Sequence, residues 1–455
     1  MILLAMQHDT QSSQVLISSQ DISIIRKSQS LWRIIRPHFV EGILLIFFFT
    51  ILTGLILIKS VLISSDTIFS SFWVFYGFIV SVFLFSRIPY AYLYEDTHDV
   101  VYRDQDYLDV SVIVTAKNEG DEIYKTITHV LTSNYPGNIE CIVINDGSTD
   151  NTEQEILRAQ RNHGEAVKLI SFEVNRGKRE AMNVGIQEAQ NEILVFIDSD
   201  SYVQSDGIRH IAEHFLADTR IGAVSGNTKV ENRNAGLMAK MQSIQYAISF
   251  DVYKASESVH RSVTCCPGCF SAYRRRAIVP LIEGWKNQAF LGSRGNFGDD
   301  RALTNFVLRK WDVIYCEKAR ATTIVPIRFS VYWRQQLRWK KSWIREGVFG
   351  AFHMWKCHPL ASLGFYIHFS FPFLGPILAL NVLIYSIMTK NPLIFPLFMV
   401  GFMLIGMIFA LFVRLYRRAK DFMYMPLFSA LFVLALIWQM PYALLTVRKN
   451  HWGTR

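Results

Sequence analysis

Apolar residues in this 455-residue chain are gathered into long, nearly charge-free runs that flank a mixed middle region. Gly42 to Ile63 and Phe72 to Phe85 precede that region, and Leu360 to Met388, Leu393 to Val413 and Met425 to Leu445 follow it. Runs near twenty residues match the hydrocarbon thickness of a bilayer, so they predict membrane helices. Buried core helices are the competing reading, strongest for the last run. A chain that is 51% hydrophobic and 14% aromatic is too apolar for a wholly soluble protein. Its length predicts two or three domains.

The first run starts about forty residues in and is long enough to stay in the membrane, so no cleavable signal peptide is expected. Arg26, Lys27, Arg33 and Arg36 precede it and, by the positive-inside rule, hold the N-terminus in the cytoplasm. Two crossings then return the chain near Arg87, which predicts a cytoplasmic middle region from residue 96 to about 350. Pairing the next two runs as a hairpin puts Arg414, Arg417, Arg418 and Lys420 inside, while a further crossing would put the C-terminal tail outside. Pro372 and Pro376 are placed to split one run, and Pro426 and Pro441 to break the last. The expected membrane helices number about four or five, with about six the upper bound. A formal net charge of +9 fits juxtamembrane basic residues and an anionic substrate, and no basic stripe carries a nucleic-acid-reading motif. The six cysteines read as reduced thiols in this setting.

The middle region alternates short β-rich runs with helical stretches. Val110–Thr115, Cys141–Ile144, Val167–Val174 and Ile193–Ile197 read as strands, separated by helices over 121–133, to about Arg161, and over 178–189. Such alternation predicts a mostly parallel sheet with helices on both faces, whose ligands bind beyond the carboxyl ends of the strands. Lys117-Asn118-Glu119, Asp146, Lys178 and Asp200 all fall at or just after strand ends, on one predicted rim. At the end of the fourth strand, Asp198-Ser199-Asp200 offers two carboxylates one residue apart. Hard oxygen donors of this kind suit Mg²⁺ or Mn²⁺ shared with substrate phosphates. A solvated loop is the competing reading for that motif alone.

Thr115-Ala-Lys-Asn-Glu119, Asn145-Asp-Gly-Ser148, Asp198-Ser-Asp200, Gly298-Asp-Asp-Arg301 and Gln335-Gln-Leu-Arg-Trp339 occur in the order seen in family 2 glycosyltransferases. The chain resembles the processive members, the cellulose, chitin and hyaluronan synthases. Gly177-Lys-Arg-Glu-Ala181, Phe297 to Asn305 and the terminal Trp452-Gly-Thr-Arg455 make the wording most like the hyaluronan synthases. The resemblance implies an α/β GT-A (Rossmann-like) domain inserted between transmembrane and interfacial helices. Its expected divisions are 1–95 (N-terminal segment and two membrane helices), 96–328 (catalytic domain), 329–358 (interfacial helices) and 359–455 (C-terminal membrane region). It implies a UDP-sugar donor, UDP-GlcNAc with UDP-GlcA for hyaluronan, held at Ala116, Asn118, Glu119, Asp146, Lys178, Asp198, Arg338 and Trp452. Asp200 with Asp198 would hold the metal. Asp300 would be the general base on the acceptor hydroxyl, with Asp299, Gln335, Arg338 and Trp339 completing the catalytic set and the growing polysaccharide as acceptor. Like-charge repulsion from Asp299 would make Asp300 the better base.

Val331 to Glu346 has a second reading from its spacing. Trp339, Trp343 and Ile344 fall on an apolar side and Arg334, Arg338, Lys341 and Arg345 on a basic one, the pattern of a helix lying on an anionic membrane surface. Cys266-Pro-Gly-Cys269 has the spacing of a redox pair, but it lacks the strand-then-helix context and a second cysteine pair for metal. By resemblance, 264–270 is a loop cradling the acceptor sugar. Three other functions compete: a chitin or poly-GlcNAc synthase using UDP-GlcNAc alone, a non-processive transferase acting on a lipid carrier, and a non-catalytic membrane sensor of nucleotide sugars. Retention of Asp146, Asp198, Asp200 and Asp300 argues against the last.

Overall fold

The computed structural model describes residues 68–96, 102–295 and 297–449. The expected membrane run Gly42–Ile63, the basic residues before it and the tail with Trp452 lie outside the described residues.

An eight-stranded sheet forms the centre of the α/β domain, in the order β3 (Val167–Ser171), β2 (Ile139–Asn145), β1 (Val110–Ala116), β4 (Ile193–Asp198), β7 (Ser271–Arg274), β6 (Ile221–Val230), β10 (Asp312–Thr323), β5 (Ser201–Val203). Its first half follows the sequence pattern. β1 (Val110–Ala116), β2 (Ile139–Asn145), β3 (Val167–Ser171) and β4 (Ile193–Asp198) are mutually parallel. β1 alternates its faces: Val112 and Val114 pack with Ile123, Ile127 and Val130, while Ile113 packs with Ile144, Met182 and Ile186 on the other side. Burial on both faces explains the near-continuous β-branched run. Each such side chain contributes on the order of 1.5–3 kcal/mol when fully buried.

The second half departs from the expected parallel order, and the sheet is mixed. β5 (Ser201–Val203) runs antiparallel to β10 (Asp312–Thr323), and β7 (Ser271–Arg274) runs antiparallel to both β4 and β6 (Ile221–Val230). Between β6 and β7 the chain makes a helical excursion, so β7 re-enters the sheet in the opposite sense. Two short strands, β8 (Ala289–Phe290) and β9 (Ser293–Arg294), pair separately.

Around the sheet lie α1 (Ile68–Leu93), α2 (Ile123–Leu131), α3 (Thr152–His163), α4 (Lys178–Glu188), α5 (Gly207–Ala217) and α6 (Leu237–Ile248). They are followed by α7 (Asp299–Val307), α8 (Phe329–Met354), α9 (Pro359–Met388), α10 (Ile394–Arg417), α11 (Met425–Leu434) and α12 (Gln439–Leu445). Among the described residues, four helical segments are long and apolar enough to cross a membrane: Phe75–Leu93, Pro359–Met388, Ile394–Arg417 and Phe422–Leu445. The protein is a membrane protein.

Two expectations about proline resolve differently. α9 runs unbroken through Pro372 and Pro376, and Phe369 and Phe373 on either side of Pro372 both pack on Trp343, at 4.9 and 5.8 Å between ring centroids. The last segment does break. Pro441 has no N–H for the Ile437 carbonyl, and the chain tightens into a 3₁₀ turn over Leu436–Trp438 before α12 begins.

The expected surface helix over 331–346 is part of α8, a 26-residue helix packed on more than one side. It contacts α7 of the α/β domain and the apolar helices α9 and α12. Its basic residues are therefore divided rather than solvated together. Arg334 is exposed, whereas Arg345 is buried, bonded to the Phe297 carbonyl and stacked on the Phe297 ring at 4.4 Å. Trp339, expected on the apolar side, is 39% exposed.

Candidate active site

Strand register assembles the site. Ala116 of β1 lies opposite Asn145 of β2, and Thr115 lies opposite Asp198 of β4, so three neighbouring strands end in one row. Adjacent strands stand about 4.8 Å apart. Asn118, Asp146 and the Asp198-Ser199-Asp200 turn thus share one rim.

The first two motifs are knitted together. Asn118 has left-handed backbone (φ 54°); its Oδ1 accepts from the Thr149 amide at 2.9 Å and its own amide donates to Ser148 Oγ at 3.0 Å. The Glu119 amide donates to Thr152 Oγ1 at 2.8 Å. Asp146 is buried and accepts from the amides of Arg176 at 2.6 Å and Gly177 at 3.0 Å. Burial raises its pKa above the ordinary carboxylate value, and those two amides act against the rise. Asp146 thereby fixes the turn that delivers Lys178.

Lys178 opens α4, and its ammonium is paired with Asp198. Burial alone would lower its pKa; the charges of Asp198, Asp300 and Asp299 outweigh burial and raise it, so the side chain is cationic. Gly268 closes over this pair. A Cβ there would stand 2.8 Å from Asp198 Oδ1 and 3.0 Å from Lys178 Nζ. The Cys266-Pro-Gly-Cys269 turn therefore touches the donor side of the rim. Burial pushes the Cys266 thiol up to about 12 and the Cys269 thiol well above its ordinary value, which keeps both protonated and unreactive.

Asp200 accepts from the hydroxyls of Ser201 and Thr323, each at 3.5 Å. With Asp198 it presents an all-oxygen donor set at the end of β4, the chemistry that fits a hard divalent cation. Asp198 shares its charge with Lys178.

α7 starts at Asp299, so both acids sit in its first turn, where the helix dipole favours negative charge. Their surroundings differ sharply. Asp299 is 3% exposed, accepts from Arg179 Nε at 2.6 Å, and its carbonyl takes the Trp285 Nε1 proton at 3.1 Å. Asp300 is half-buried and accepts from the Arg301 amide at 2.8 Å. Arg179 compensates the Asp299 charge, so the repulsion expected between the two acids is countered at its source. Asp299, grouped on sequence with the catalytic residues, is a buried anchor. Arg179 was missed; the only signal was its place in Gly177-Lys-Arg, beside the lysine already singled out.

α8 brings the last motif to the rim. Burial lowers the Arg338 pKa from the ordinary arginine value, and the carboxylates of Asp198, Asp300, Asp299 and Asp200 act in the opposite direction. One guanidinium is thus within electrostatic reach of all four acids. Gln335, one turn earlier, has a buried Oε1 with no protein hydrogen-bond partner among the described residues. A buried acceptor of this kind calls for a donor, which a bound hydroxyl would supply.

A cavity opens among α1, α7, α8 and α9, lined by polar and aromatic side chains that include Arg87, Tyr253, His260, Arg301, Trp343 and His368.

The model of the family described as glycosyl transferase family 2 matches residues 111–280. An N-acetylglucosaminyltransferase of Azorhizobium caulinodans is 31% identical over 353 residues, covering 76% of this chain and 87% of its own. The hyaluronan synthase of Streptococcus pyogenes is 28% identical over 426 residues, covering 92% of this chain and 98% of its own. Among solved structures, the mannosyltransferase PcManGT from Pyrobaculum calidifontis, determined with GDP-Man and Mn²⁺, superposes with a TM-score of 0.53 at 20% identity, over 78% of this chain and 98% of that one. That likeness shows the GT-A fold. The chain belongs to glycosyl transferase family 2, as a processive membrane enzyme similar to hyaluronan synthase.

Proposed function

We propose that this enzyme polymerises UDP-sugars into a β-linked polysaccharide and passes it across the membrane, with hyaluronan, built from UDP-GlcNAc and UDP-GlcA, the favoured product. The observation that carries this reading is the single rim at which β1, β2 and β4 end, where Lys178 pairs with Asp198 in the Asp198-Ser199-Asp200 turn. Asn118, Glu119 and Asp146 hold the nucleotide. Lys178 and Arg338 meet the diphosphate as its bond to the sugar breaks. Asp200 and Asp198 would hold Mg²⁺ or Mn²⁺, which when bound neutralises charge on the departing UDP. Asp300 takes the proton of the acceptor hydroxyl, whose oxygen bonds to the anomeric carbon opposite the leaving diphosphate. A single in-line displacement converts an α-linked donor to a β-linked product. Trp339 offers a flat apolar face to the C–H face of the acceptor sugar, and Gln335 Oε1 accepts from one of its hydroxyls.

The cavity lined by Arg301, the residue after Asp300, supports a polymer that leaves toward the membrane helices rather than into water. Arg87 and Arg301 line it together with Glu257 and Glu346, so its formal charges balance and it suits a neutral chain as well as an acidic one. On this reading the catalytic domain is cytoplasmic, where UDP-sugars are made. A polymer of GlcNAc alone is the second reading, favoured by the identity to an N-acetylglucosaminyltransferase. Membranes supplied with each UDP-sugar singly and in pairs, followed by digestion with specific glycosidases, separate the two. Hyaluronan requires both donors; long product from UDP-GlcNAc alone would overturn it in favour of the second reading.

A further inference from the structure

α1 ends at Leu93, and three residues later Asp96 packs against α5 and β10 of the catalytic domain. Its carboxylate meets two groups from distant parts of the chain. Oδ1 is 3.1 Å from Nε2 of His214, in the last turn of α5, and Oδ2 is 3.6 Å from Sγ of Cys316, in β10. One donor atom from each residue lies within 4.8 Å of the others. The Asp96 and His214 side chains are 7% and 4% exposed, and Cys316 is buried.

Oxygen, imidazole nitrogen and sulfur form the mixed donor set that borderline-soft divalent ions select. Tetrahedral zinc bonds of about 2.0–2.3 Å place neighbouring donor atoms roughly 3.3–3.7 Å apart; His214 Nε2 and Cys316 Sγ stand 3.1 and 3.6 Å from the Asp96 carboxylate, one at each oxygen. The charge also balances, since one carboxylate and one thiolate offset a divalent cation and leave no net charge to bury. The backbone is arranged to support this. The β10–β6 pairing shifts register between Tyr315 and Arg320, and the amides released there point at the cluster: Lys318 N to Asp96 Oδ2 at 2.9 Å, and Ala319 N to Cys316 Sγ at 3.3 Å. Such outer contacts orient and stabilise anionic ligands.

We propose that Asp96, His214 and Cys316 bind one zinc-class divalent cation, with water in the fourth position, and that this ion ties the exit of membrane helix α1 to the catalytic sheet. Binding forms a metal–sulfur bond, and the Cys316 thiol proton leaves to solvent. The site differs in kind from Asp198–Asp200, whose donors are all oxygen.

The test uses the full-length protein in detergent, loaded with Zn²⁺ or Co²⁺ and desalted. The wild type should retain one equivalent of Zn²⁺, and its Co²⁺ form should show a thiolate-to-cobalt charge-transfer band. Asp200→Asn and the Cys266→Ser/Cys269→Ser double variant should keep that band, while Cys316→Ser and His214→Ala should lose the retained ion. Zn²⁺ should raise the melting temperature of the wild type but not of His214→Ala. A wild type with no retained zinc and no band overturns the proposal without any variant having to fold. A band that survives in Cys316→Ser, or disappears with Cys266 and Cys269, overturns it as well.

Discussion

Arg179 and Asp299 form a buried ion pair, Nε to Oδ1 at 2.6 Å, that joins the helix opened by Lys178 to the helix carrying Asp300. Removing one member of such a pair leaves an uncompensated buried charge and costs about 3–5 kcal/mol. Arg179→Met should therefore lower the melting temperature and transfer activity together. The double variant Arg179→Met/Asp299→Leu should recover most of the stability, with activity still low because the two helices have lost their register. Thermal unfolding beside initial transfer rates checks this, and full activity in the double variant would contradict it.

Gly268→Ala should weaken donor binding without unfolding the protein. The new methyl would stand 2.8 Å from an Asp198 oxygen and 3.0 Å from the Lys178 nitrogen. One of the two must move. The expected result is a rise in donor KM of roughly tenfold, ~1.4 kcal/mol, with the melting temperature almost unchanged. An unchanged KM would show that the loop can yield.

Asp300→Asn and Asp200→Asn should fail in different ways. Without its base, Asp300→Asn loses transfer by about 10²–10⁴-fold while UDP still binds. Asp200→Asn should lose Mn²⁺-dependent UDP affinity and activity together. Calorimetric titration of UDP with and without Mn²⁺ distinguishes them. Normal polymer yield from Asp300→Asn, or unaltered Mn²⁺-dependent affinity in Asp200→Asn, would refute the corresponding assignment.

Trp339→Ala should release short products or leave only donor hydrolysis, with UDP affinity retained, because the exposed ring holds the growing end between additions. Sizing of radiolabelled product from reconstituted vesicles reads the outcome. Full-length polymer from this variant would remove Trp339 from the acceptor site.

Lys340 gives a pH dependence to the seam between α8 and α12. Its ammonium donates to Gln439 Oε1 at 2.8 Å, and burial lowers its pKa from 10.5 to about 8. Between those values the unfolded chain holds the proton more tightly than the folded one, so stability from this group rises with pH across that window. Lys340→Met should be more stable than wild type near neutrality, and the gap should close as pH rises from about 8 toward 10.5. Melting curves across that range check the direction.

The readable part of this structure is the part held by local pattern. β1, β2 and β4 announce themselves because each is buried on both faces, and the rim follows from where those runs stop. β6, β7 and β10 give no comparable signal. Their order depends on a helical excursion between β6 and β7, and antiparallel entry leaves no βαβ alternation to read. Motif order located Asp300, but the state of Asp299 depends on Arg179, 120 positions away, and no periodicity encodes that contact. The charge pattern of α8 misled for a similar reason. Arg345 looks like a solvated residue on a helical wheel until Phe297 covers it.

α8 has no slack on its membrane side. At Gly347 a Cβ would lie 2.2 Å from the Phe369 ring of α9, while Arg338 on the same rod reaches the acids of the rim. One helix thus packs against both the α/β domain and the apolar helices. On the proposed function, each new unit is made already standing at the threshold of the bilayer, so synthesis and the first step of export coincide in place and no separate transporter has to find the chain's end.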